Sequence, residues 1–134
     1  MINKLNNSSC KINIAIIGCG RISKKHIMAI IGDYKRCELV ALCDNNQEKL
    51  DIIYTFFKDH LVKNNFVFNG LKKFNSYQDL IKAHCNNEII LDLVVLATPS
   101  GLHPIQTKIA ARCGINVCTE KPMALNLIDA EDMI

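Results

Sequence analysis

The sequence of 134 residues contains no tryptophan and only three prolines, and no apolar run approaches the roughly 18 residues that cross a membrane. Its first ten residues are polar and lack the apolar centre of a signal peptide. The net charge is +3, and lysine and arginine are dispersed among acidic residues rather than clustered as on a nucleic-acid-binding face. We therefore expect one cytoplasmic domain that binds neither membrane nor nucleic acid, preceded by a flexible tail at residues 1–11.

The seven cysteines do not form a pattern typical of metal or disulfide sites. Their number is odd, no Cys-x-x-Cys pair occurs, and several lie inside apolar runs, as Cys43 and Cys118 do. Thiols in such positions usually serve as small apolar side chains in a reducing compartment. The sequence therefore predicts reduced cysteines and no metal site.

Short runs rich in β-branched residues alternate with segments whose apolar residues recur at helical spacing. This alternation predicts right-handed βαβ units and an α/β fold with a doubly wound parallel sheet over residues 12–134. Predicted strands cover residues 12–17, 38–43, 91–97 and 115–118, and predicted helices cover 22–31, 46–62, 76–84, 103–113 and a segment from 126 onward. Phe66-Val67-Phe68 is a candidate third strand.

A glycine-rich turn joins the first predicted strand to the first predicted helix. It has the sequence Gly18-Cys19-Gly20-Arg21-Ile22-Ser23. Gly18 permits a tight turn, Gly20 lets a pyrophosphate approach the backbone, and the following helix N-terminus offers N–H groups to the phosphates. Ser23 stands where a third glycine or alanine is usual, and it is still small. The turn predicts a dinucleotide-binding site.

A carboxylate follows the second predicted strand at Asp44, 24 residues after Gly20 (44 minus 20). It can accept hydrogen bonds from the adenosine ribose hydroxyls and would repel a 2′-phosphate. Neither Asn45 nor Asn46 supplies a compensating cation, so the position favours NAD over NADP. An ordinary glycine turn followed by a helix-capping aspartate is the alternative interpretation.

Two later predicted strands also end in polar residues. By position alone, the side chains expected near the carboxyl edge of the sheet, where ligands bind in this class of fold, are Thr98, Ser100, His103, Glu120 and Lys121. Position leaves other interpretations open, because Glu120 and Lys121 could form a solvated ion pair and His103 could simply begin a helix. The remaining histidines are predicted to have no chemical role: His26, His60 and His84.

Together these motifs resemble those of the glucose-fructose oxidoreductase/inositol dehydrogenase (Gfo/Idh/MocA) family. The matching segments are Gly18-Cys19-Gly20-Arg21-Ile22, Asp44, Ala97-Thr98-Pro99-Ser100-Gly101-Leu102-His103 and Glu120-Lys121-Pro122-Met123-Ala124. Segments 98–104 and 119–124 are especially similar to those of UDP-N-acetylglucosaminuronate 3-dehydrogenase members, which act in the synthesis of surface-polysaccharide sugars. The resemblance extends from Ile12 over nearly the whole chain.

The resemblance implies an NAD-dependent dehydrogenase that oxidises a sugar or sugar-nucleotide hydroxyl, with C3 of UDP-N-acetylglucosaminuronate as the favoured position. It makes Lys121 catalytic, because the family's lysine lies beside the nicotinamide and the reacting hydroxyl, where an ammonium loses its proton more easily. Pro122 would fix the turn, often through a cis bond, and Glu120 would orient the loop or contact the cofactor. The implied cofactor-binding residues are Gly18, Cys19, Gly20, Arg21, Ile22, Asp44, Thr98, Pro99, Ser100, His103, Glu120, Lys121 and Pro122.

The chain also departs from the family pattern. Members usually continue into a second α/β domain that binds the sugar and forms the homo-oligomer interface, and neither that domain nor the last Rossmann strand is expected within these residues. The segment at residues 58–74, between the second and third strands, is longer than is usual in the family. We therefore expect the chain alone to be marginally stable and inactive. A non-catalytic nucleotide-binding remnant or interaction module is the alternative.

Overall fold

The computed structural model describes residues 10–134, so the predicted tail at residues 1–11 falls almost wholly outside the described residues. The strands are β1 (Ile12–Ile17), β2 (Cys37–Cys43), β3 (Lys72–Phe74), β4 (Leu93–Leu96) and β5 (Asn116–Thr119). The helices are α1 (Ser23–Gly32), α2 (Gln47–Lys63), α3 (Tyr77–Cys85), α4 (His103–Arg112), preceded by a 3₁₀ turn (Ser100–Leu102), and α5 (Leu127–Asp132).

The five strands form one sheet in the order β3-β2-β1-β4-β5, and every pair of neighbours is parallel. The chain moves outward from β1 to β3 and then returns to place β4 on the other side of β1. The strand order therefore reverses between β1 and β4, which is where ligands bind in doubly wound sheets. The predicted fold class is confirmed.

Alternate residues of β1 supply the two faces of the sheet. Ile14 and Ile16 pack into a core beneath α1 and α2, whereas Ala15 and Ile17 pack into a second core beneath α3 and α4. Because side chains alternate across a strand, a strand buried on both faces has to be apolar throughout. The continuous apolar run that predicted β1 therefore reflects helices on both sides of it.

Polar side chains begin three of the helices. Asn46, Ser76 and Asn126 each accept a hydrogen bond from the backbone N–H three residues later, at 2.9–3.1 Å, before α2, α3 and α5 respectively. Gly114 has a φ of +74° just after α4, which suits glycine at the end of a helix. The predicted helix starts at residues 46, 76 and 126 are confirmed.

The candidate third strand at Phe66-Val67-Phe68 is wrong. The third strand is Lys72–Phe74, beside β2. Phe66 stacks on Tyr34 with ring centroids 4.8 Å apart, and Phe68 packs on the apolar core while Val67 is exposed. The alternation of inward and outward side chains is therefore real, but it arises from two aromatic rings that cover the core edge rather than from a strand ladder.

Residues at the C-terminal end of the described chain bury little. α5 contains no buried residue, and the side chains of Leu127 and Ile128 are 72% and 77% exposed. The expected marginal stability of the chain alone stays a prediction. Among residues 10–134, no helix is both long and apolar enough to cross a membrane.

Candidate functional site

The first residue after each of four strands is held by a backbone hydrogen bond to the neighbouring strand. The N–H groups and their carbonyl partners are Asp44 and Phe74 (3.1 Å), Gly18 and Cys43 (2.8 Å), Ala97 and Ile17 (2.8 Å), and Glu120 and Leu96 (2.9 Å). The sheet ladder therefore continues one residue past the strands. It aligns the ribose-binding candidate, the glycine turn and the two later motifs along one carboxyl edge.

Gly18 and Gly20 have different surroundings. Gly18 has a φ of +94°, and a Cβ atom there would lie 2.5 Å from the carbonyl oxygen of Ala97. The turn after β1 thus passes directly over the turn after β4, and only glycine permits that approach. A Cβ on Gly20 would have no heavy atom within 4 Å, so the open space at Gly20 is on the outer side, where a pyrophosphate could approach.

The start of α1 presents unpaired donors to that open space. Within the described chain, the backbone N–H groups of Gly20, Arg21 and Ile22 make no hydrogen bond. Ser23 is fully buried, and its hydroxyl donates to the carbonyl of Gly20 at 2.5 Å. The serine oxygen is therefore satisfied inside the turn. Free N–H groups at a helix N-terminus fit a phosphate, so these residues fit a dinucleotide.

Asp44 braces the glycine turn. One of its carboxylate oxygens accepts a hydrogen bond from the N–H of Cys19 at 2.8 Å, and the other accepts from the N–H of Asn46 at 2.8 Å. Each carboxylate oxygen can accept more than one hydrogen bond, so ribose hydroxyls could still bind. Asp44 therefore orients the phosphate-binding turn and faces the expected ribose position with the same side chain.

Cys19 contributes through its backbone rather than its thiol. The side chain is 3% exposed and its Sγ lies 3.8 Å from the carbonyl oxygen of Cys43. Burial, together with the negative charge of Asp44, raises the pKa of the Cys19 thiol to about 12. The thiol therefore stays protonated at neutral pH and does not act as a nucleophile.

His103 joins the two later motifs. The ring is fully buried, with Nε2 2.9 Å from the carbonyl oxygen of Thr98 and Nδ1 3.0 Å from that of Pro122. Both partners are acceptors, so the ring can serve only as a donor at either contact. His103 does begin α4, but it also ties the turn after β4 to the turn after β5. Both ring nitrogens therefore face protein carbonyl groups, and a contact of His103 with a cofactor stays a prediction.

Glu120 is anchored from the other side. Its Oε1 lies 2.6 Å from Nε2 of His26, on the first turn of α1. A carboxylate accepts, so His26 is the donor. The contact links the Glu-Lys-Pro motif to α1, the helix that follows the glycine turn. The Lys121–Pro122 peptide bond is cis, which confirms the expectation from the family resemblance. Lys121 itself is exposed between two anchored neighbours.

Two side chains at this edge were not singled out by sequence reasoning. His26 was assigned no chemical role, but it holds Glu120. Gln106, buried on α4, accepts a hydrogen bond from the hydroxyl of Thr98 at 2.6 Å. Neither residue belongs to a motif, and only the packing of α1 and α4 against the strand ends brings them here. Periodicity could mark their helical positions but not their partners.

The other predicted site residues lie on the same edge with outward or partly covered side chains: Arg21, Ile22, Pro99, Ser100, Lys121 and Pro122. The structure therefore brings all the candidate residues to one edge, while their contacts with a cofactor stay predictions. Two surface depressions lie elsewhere. One, of about 670 Å³, is on the outer face of α2, and the other, of about 430 Å³, is at the amino edge of the sheet.

No group of three or more histidine, cysteine or acidic side chains within residues 10–134 is placed to hold a metal ion. The edge carries unpaired backbone donors, the carboxylate of Asp44 and the exposed Lys121. On a doubly wound sheet, these features are typical of a dinucleotide-binding domain.

Comparison with known proteins narrows the class to a family. The sequence profile of the oxidoreductase family with an NAD-binding Rossmann fold matches residues 12–134. The chain belongs to this family, the Gfo/Idh/MocA oxidoreductases. The resemblance inferred from the motifs is thereby confirmed, and so is NAD as the cofactor of the family.

Individual relatives agree with the family assignment. The chain is 38% identical to the WlbA dehydrogenase of Bordetella pertussis, solved with NADH and UDP-GlcNAcA, with a TM-score of 0.75 over 93% of this chain and 33% of that one. It is 26% identical to scyllo-inositol dehydrogenase of Lactobacillus casei, solved with NAD(H) and scyllo-inositol, with a TM-score of 0.71 over 92% and 32%.

A third relative is D-apiose dehydrogenase of Paraburkholderia graminis, which is 32% identical over 120 residues, or 90% of this chain and 28% of that protein. The chain thus spans about a third of the length of the relatives it matches.

Substituting each glycine of the turn should separate folding from binding. We expect Gly18→Ala to lower the free energy of unfolding by more than about 3 kcal/mol, because the new Cβ would collide with Ala97. Gly20→Ala should change it by less than about 1 kcal/mol but weaken NAD binding at least about tenfold. Urea unfolding and titration calorimetry measure the two effects. Equal stability of both variants would contradict the close approach at Gly18.

Removing the His103 side chain should cost stability through two buried carbonyl groups. We expect His103→Ala to lower the free energy of unfolding by about 2–4 kcal/mol, measured by urea unfolding. His103→Asn, which keeps one donor, should lose less. His60→Ala is the matched control, because both the hydrogen bond and the ring stacking of His60 are with Phe56 of its own helix, and it should lose less than about 1 kcal/mol. A His103→Ala loss no larger than that of the control rules out the two-carbonyl role.

Proposed function

We propose that this chain is the NAD-binding part of a dehydrogenase that oxidises a hydroxyl of a sugar or sugar nucleotide. The observation that carries the proposal is the alignment of three elements on one sheet edge. These are the open glycine turn at Gly20, the carboxylate of Asp44 and the anchored turn that presents Lys121. Membership of an oxidoreductase family supports the same conclusion.

NAD would supply the hydride acceptor when bound. The N–H groups of Gly20, Arg21 and Ile22 would bind its pyrophosphate, and Asp44 would accept hydrogen bonds from its ribose. The turns at 98–100 and 120–122 follow β4 and β5, beyond the point where the strand order reverses. They would therefore border the nicotinamide half of NAD. In this assignment, the place of each motif in the strand order determines which part of NAD it would contact.

Lys121 would take the proton of the reacting hydroxyl. Its side chain is exposed, so a substrate could reach it, while its neighbours Glu120 and Pro122 are held by His26 and His103. A proton acceptor has to be held within hydrogen-bond distance of the proton it removes, and anchoring the backbone on both sides of Lys121 serves that requirement.

The preferred substrate is UDP-N-acetylglucosaminuronate, oxidised at C3 in the synthesis of surface-polysaccharide sugars. The similarity to the Bordetella WlbA dehydrogenase, solved with UDP-GlcNAcA, supports this choice over the inositol relative, which is less identical. The resemblance of segments 98–104 and 119–124 to the UDP-N-acetylglucosaminuronate group supports it further. Inositol and D-apiose are the competing substrates that an assay should include.

The sugar-binding half of the site would come from residues outside this chain. Support comes from the chain's length, about a third of that of its relatives, and from the open form of the edge around Lys121. We therefore expect the complete enzyme to be a cytoplasmic homo-oligomer with a second domain. The same two observations favour a second candidate function, a module that binds NAD without catalysis.

Asp44 should determine the choice between NAD and NADP. We expect the chain to bind NAD at least about tenfold more tightly than NADP, and Asp44→Asn to reduce that ratio because the negative charge is lost while one acceptor oxygen remains. Titration calorimetry measures both ligands.

Asp92→Asn is the matched control for this experiment, because Asp92 also accepts a hydrogen bond from a backbone N–H, that of Asn13, but at the amino edge of the sheet. It should leave the ratio unchanged. If neither cofactor binds to the folded wild-type chain, the NAD assignment for this chain is wrong.

Substitution of Lys121 should distinguish an enzyme from a module that binds NAD without catalysis. In a protein that joins this chain to a sugar-binding domain, Lys121→Met should slow NADH formation from UDP-N-acetylglucosaminuronate at least about 100-fold, with NAD affinity nearly unchanged. Lys82→Met, on the exposed face of α3, is the control and should be neutral. The chain alone should bind NAD without turnover, and steady turnover by it would contradict the need for a second domain.

A further inference from the structure

Two thiols meet on the edge of the sheet opposite the candidate site. Cys85 is the last residue of α3, Cys113 directly follows α4, and their sulfur atoms lie 3.6 Å apart. Cys85 is exposed and Cys113 is half-buried. Within residues 10–134, no other two cysteine sulfurs make such a contact.

The backbone around the two thiols is held independently of them. Nδ1 of His84 accepts a hydrogen bond from the N–H of Leu91 at 3.2 Å, so Nε2 carries the proton and faces the carbonyl oxygen of Cys113 at 3.4 Å. The residue next to Cys85 is therefore joined to the backbone of Cys113. The proximity of the thiols follows from how the ends of α3 and α4 pack, and does not depend on side-chain rotation alone.

We propose that Cys85 and Cys113 are an oxidation site, at which a hydroperoxide converts the two thiols into an intramolecular disulfide. A disulfide needs the sulfur atoms about 2.0 Å apart, so they would have to approach by about 1.6 Å from their present contact. The exposed side chain of Cys85 can rotate about its Cα–Cβ bond, which changes the distance between the two sulfur atoms.

Cys85 reacts first. Its thiolate attacks one peroxide oxygen, the O–O bond breaks, and the leaving oxygen takes up a proton, which yields a sulfenic acid on Cys85 and one water or alcohol. The sulfur of Cys113 then attacks the Cys85 sulfur. The S–O bond breaks, and the departing hydroxide leaves as water with the Cys113 proton. Two thiols lose two electrons in total, and the hydroperoxide gains them.

Exposure and charge both favour this order. Cys85 is the thiol that a dissolved peroxide can reach. The thiol–thiol contact, in which Cys113 keeps its proton, together with a smaller effect of burial raises the pKa of the Cys113 thiol, so Cys113 is less often the thiolate. Cys113 is therefore suited to resolve the sulfenic acid rather than to form it.

The cross-link lies far from the cofactor edge. The C-terminal ends of α3 and α4 lie where β4 and β5 begin, whereas the glycine turn and Lys121 follow the strand ends. The disulfide would enclose β4 and α4 in a closed loop, and it would stabilise the fold mainly by restricting the unfolded chain. The inference is thus independent of the proposed function, and NAD affinity should not change on oxidation.

The test is oxidation of the full chain with hydrogen peroxide, followed by alkylation of free thiols and peptide mapping. We expect a linked peptide pair containing Cys85 and Cys113 and a rise of at least about 5 °C in the midpoint of thermal unfolding, both reversed by dithiothreitol. Cys85→Ser and Cys113→Ser should each abolish the link and the rise. Cys118→Ser, which removes an exposed thiol on β5, should retain both.

Oxidation of Cys85 to sulfinic acid without a link would overturn the proposal. So would links from Cys85 to Cys10 or Cys118 as abundant as the link to Cys113, or a thermal shift that survives Cys85→Ser. A failure of NAD to bind the chain would count against the proposed function but would leave the oxidation site unaffected.

Discussion

The close passage of the Gly18 turn over the carbonyl group of Ala97 is the constraint on which the rest of the site depends. It occurs where the strand order reverses between β1 and β4, so it joins the two halves of the sheet at their carboxyl ends. The hydrogen bond from the N–H of Ala97 to the carbonyl of Ile17 also fixes these two turns. With both turns held, the N–H groups at the start of α1 stay unpaired within the described chain, and Asp44 can brace the glycine turn through Cys19. A larger residue at position 18 would push these parts away from one another.

A small number of contacts also holds the turn that contains Lys121. Lys121 is exposed and makes no anchoring contact of its own among the described residues, but both of its neighbours are tied to helices, Glu120 to α1 through His26 and Pro122 to α4 through His103. An exposed lysine normally samples many conformations and loses entropy when it is positioned. Fixing the backbone on both sides limits the positions that the side chain can reach without burying the amine, which suits the proton acceptor that we propose Lys121 to be.

Much of this arrangement could be predicted from local pattern. The apolar run of β1, the helix starts at residues 46 and 126, the glycine turn and Asp44 all depend on residues close in the sequence, and all are found where expected. The errors fall where distant contacts decide. Phe66-Val67-Phe68 alternates like a strand, yet its rings cover a core edge, because the three-residue strand Lys72–Phe74 occupies the place beside β2. His26 and Gln106 acquire their partners only when α1 and α4 pack on the sheet.

The amino-acid sequence by itself determined the fold class, the strand-turn-helix unit that receives a dinucleotide, and the family, because each rests on short-range periodicity or on motifs of a few adjacent residues. Only the tertiary structure decided that both ring nitrogens of His103 face carbonyl groups, that His26 holds Glu120, and that Cys85 and Cys113 are in contact. Apart from the contact of His103 with Thr98, which is five residues away, these pairs are 19 to 94 residues apart. Their proximity follows from strand order and helix packing, which bring distant segments together without any signal in the residues around each partner.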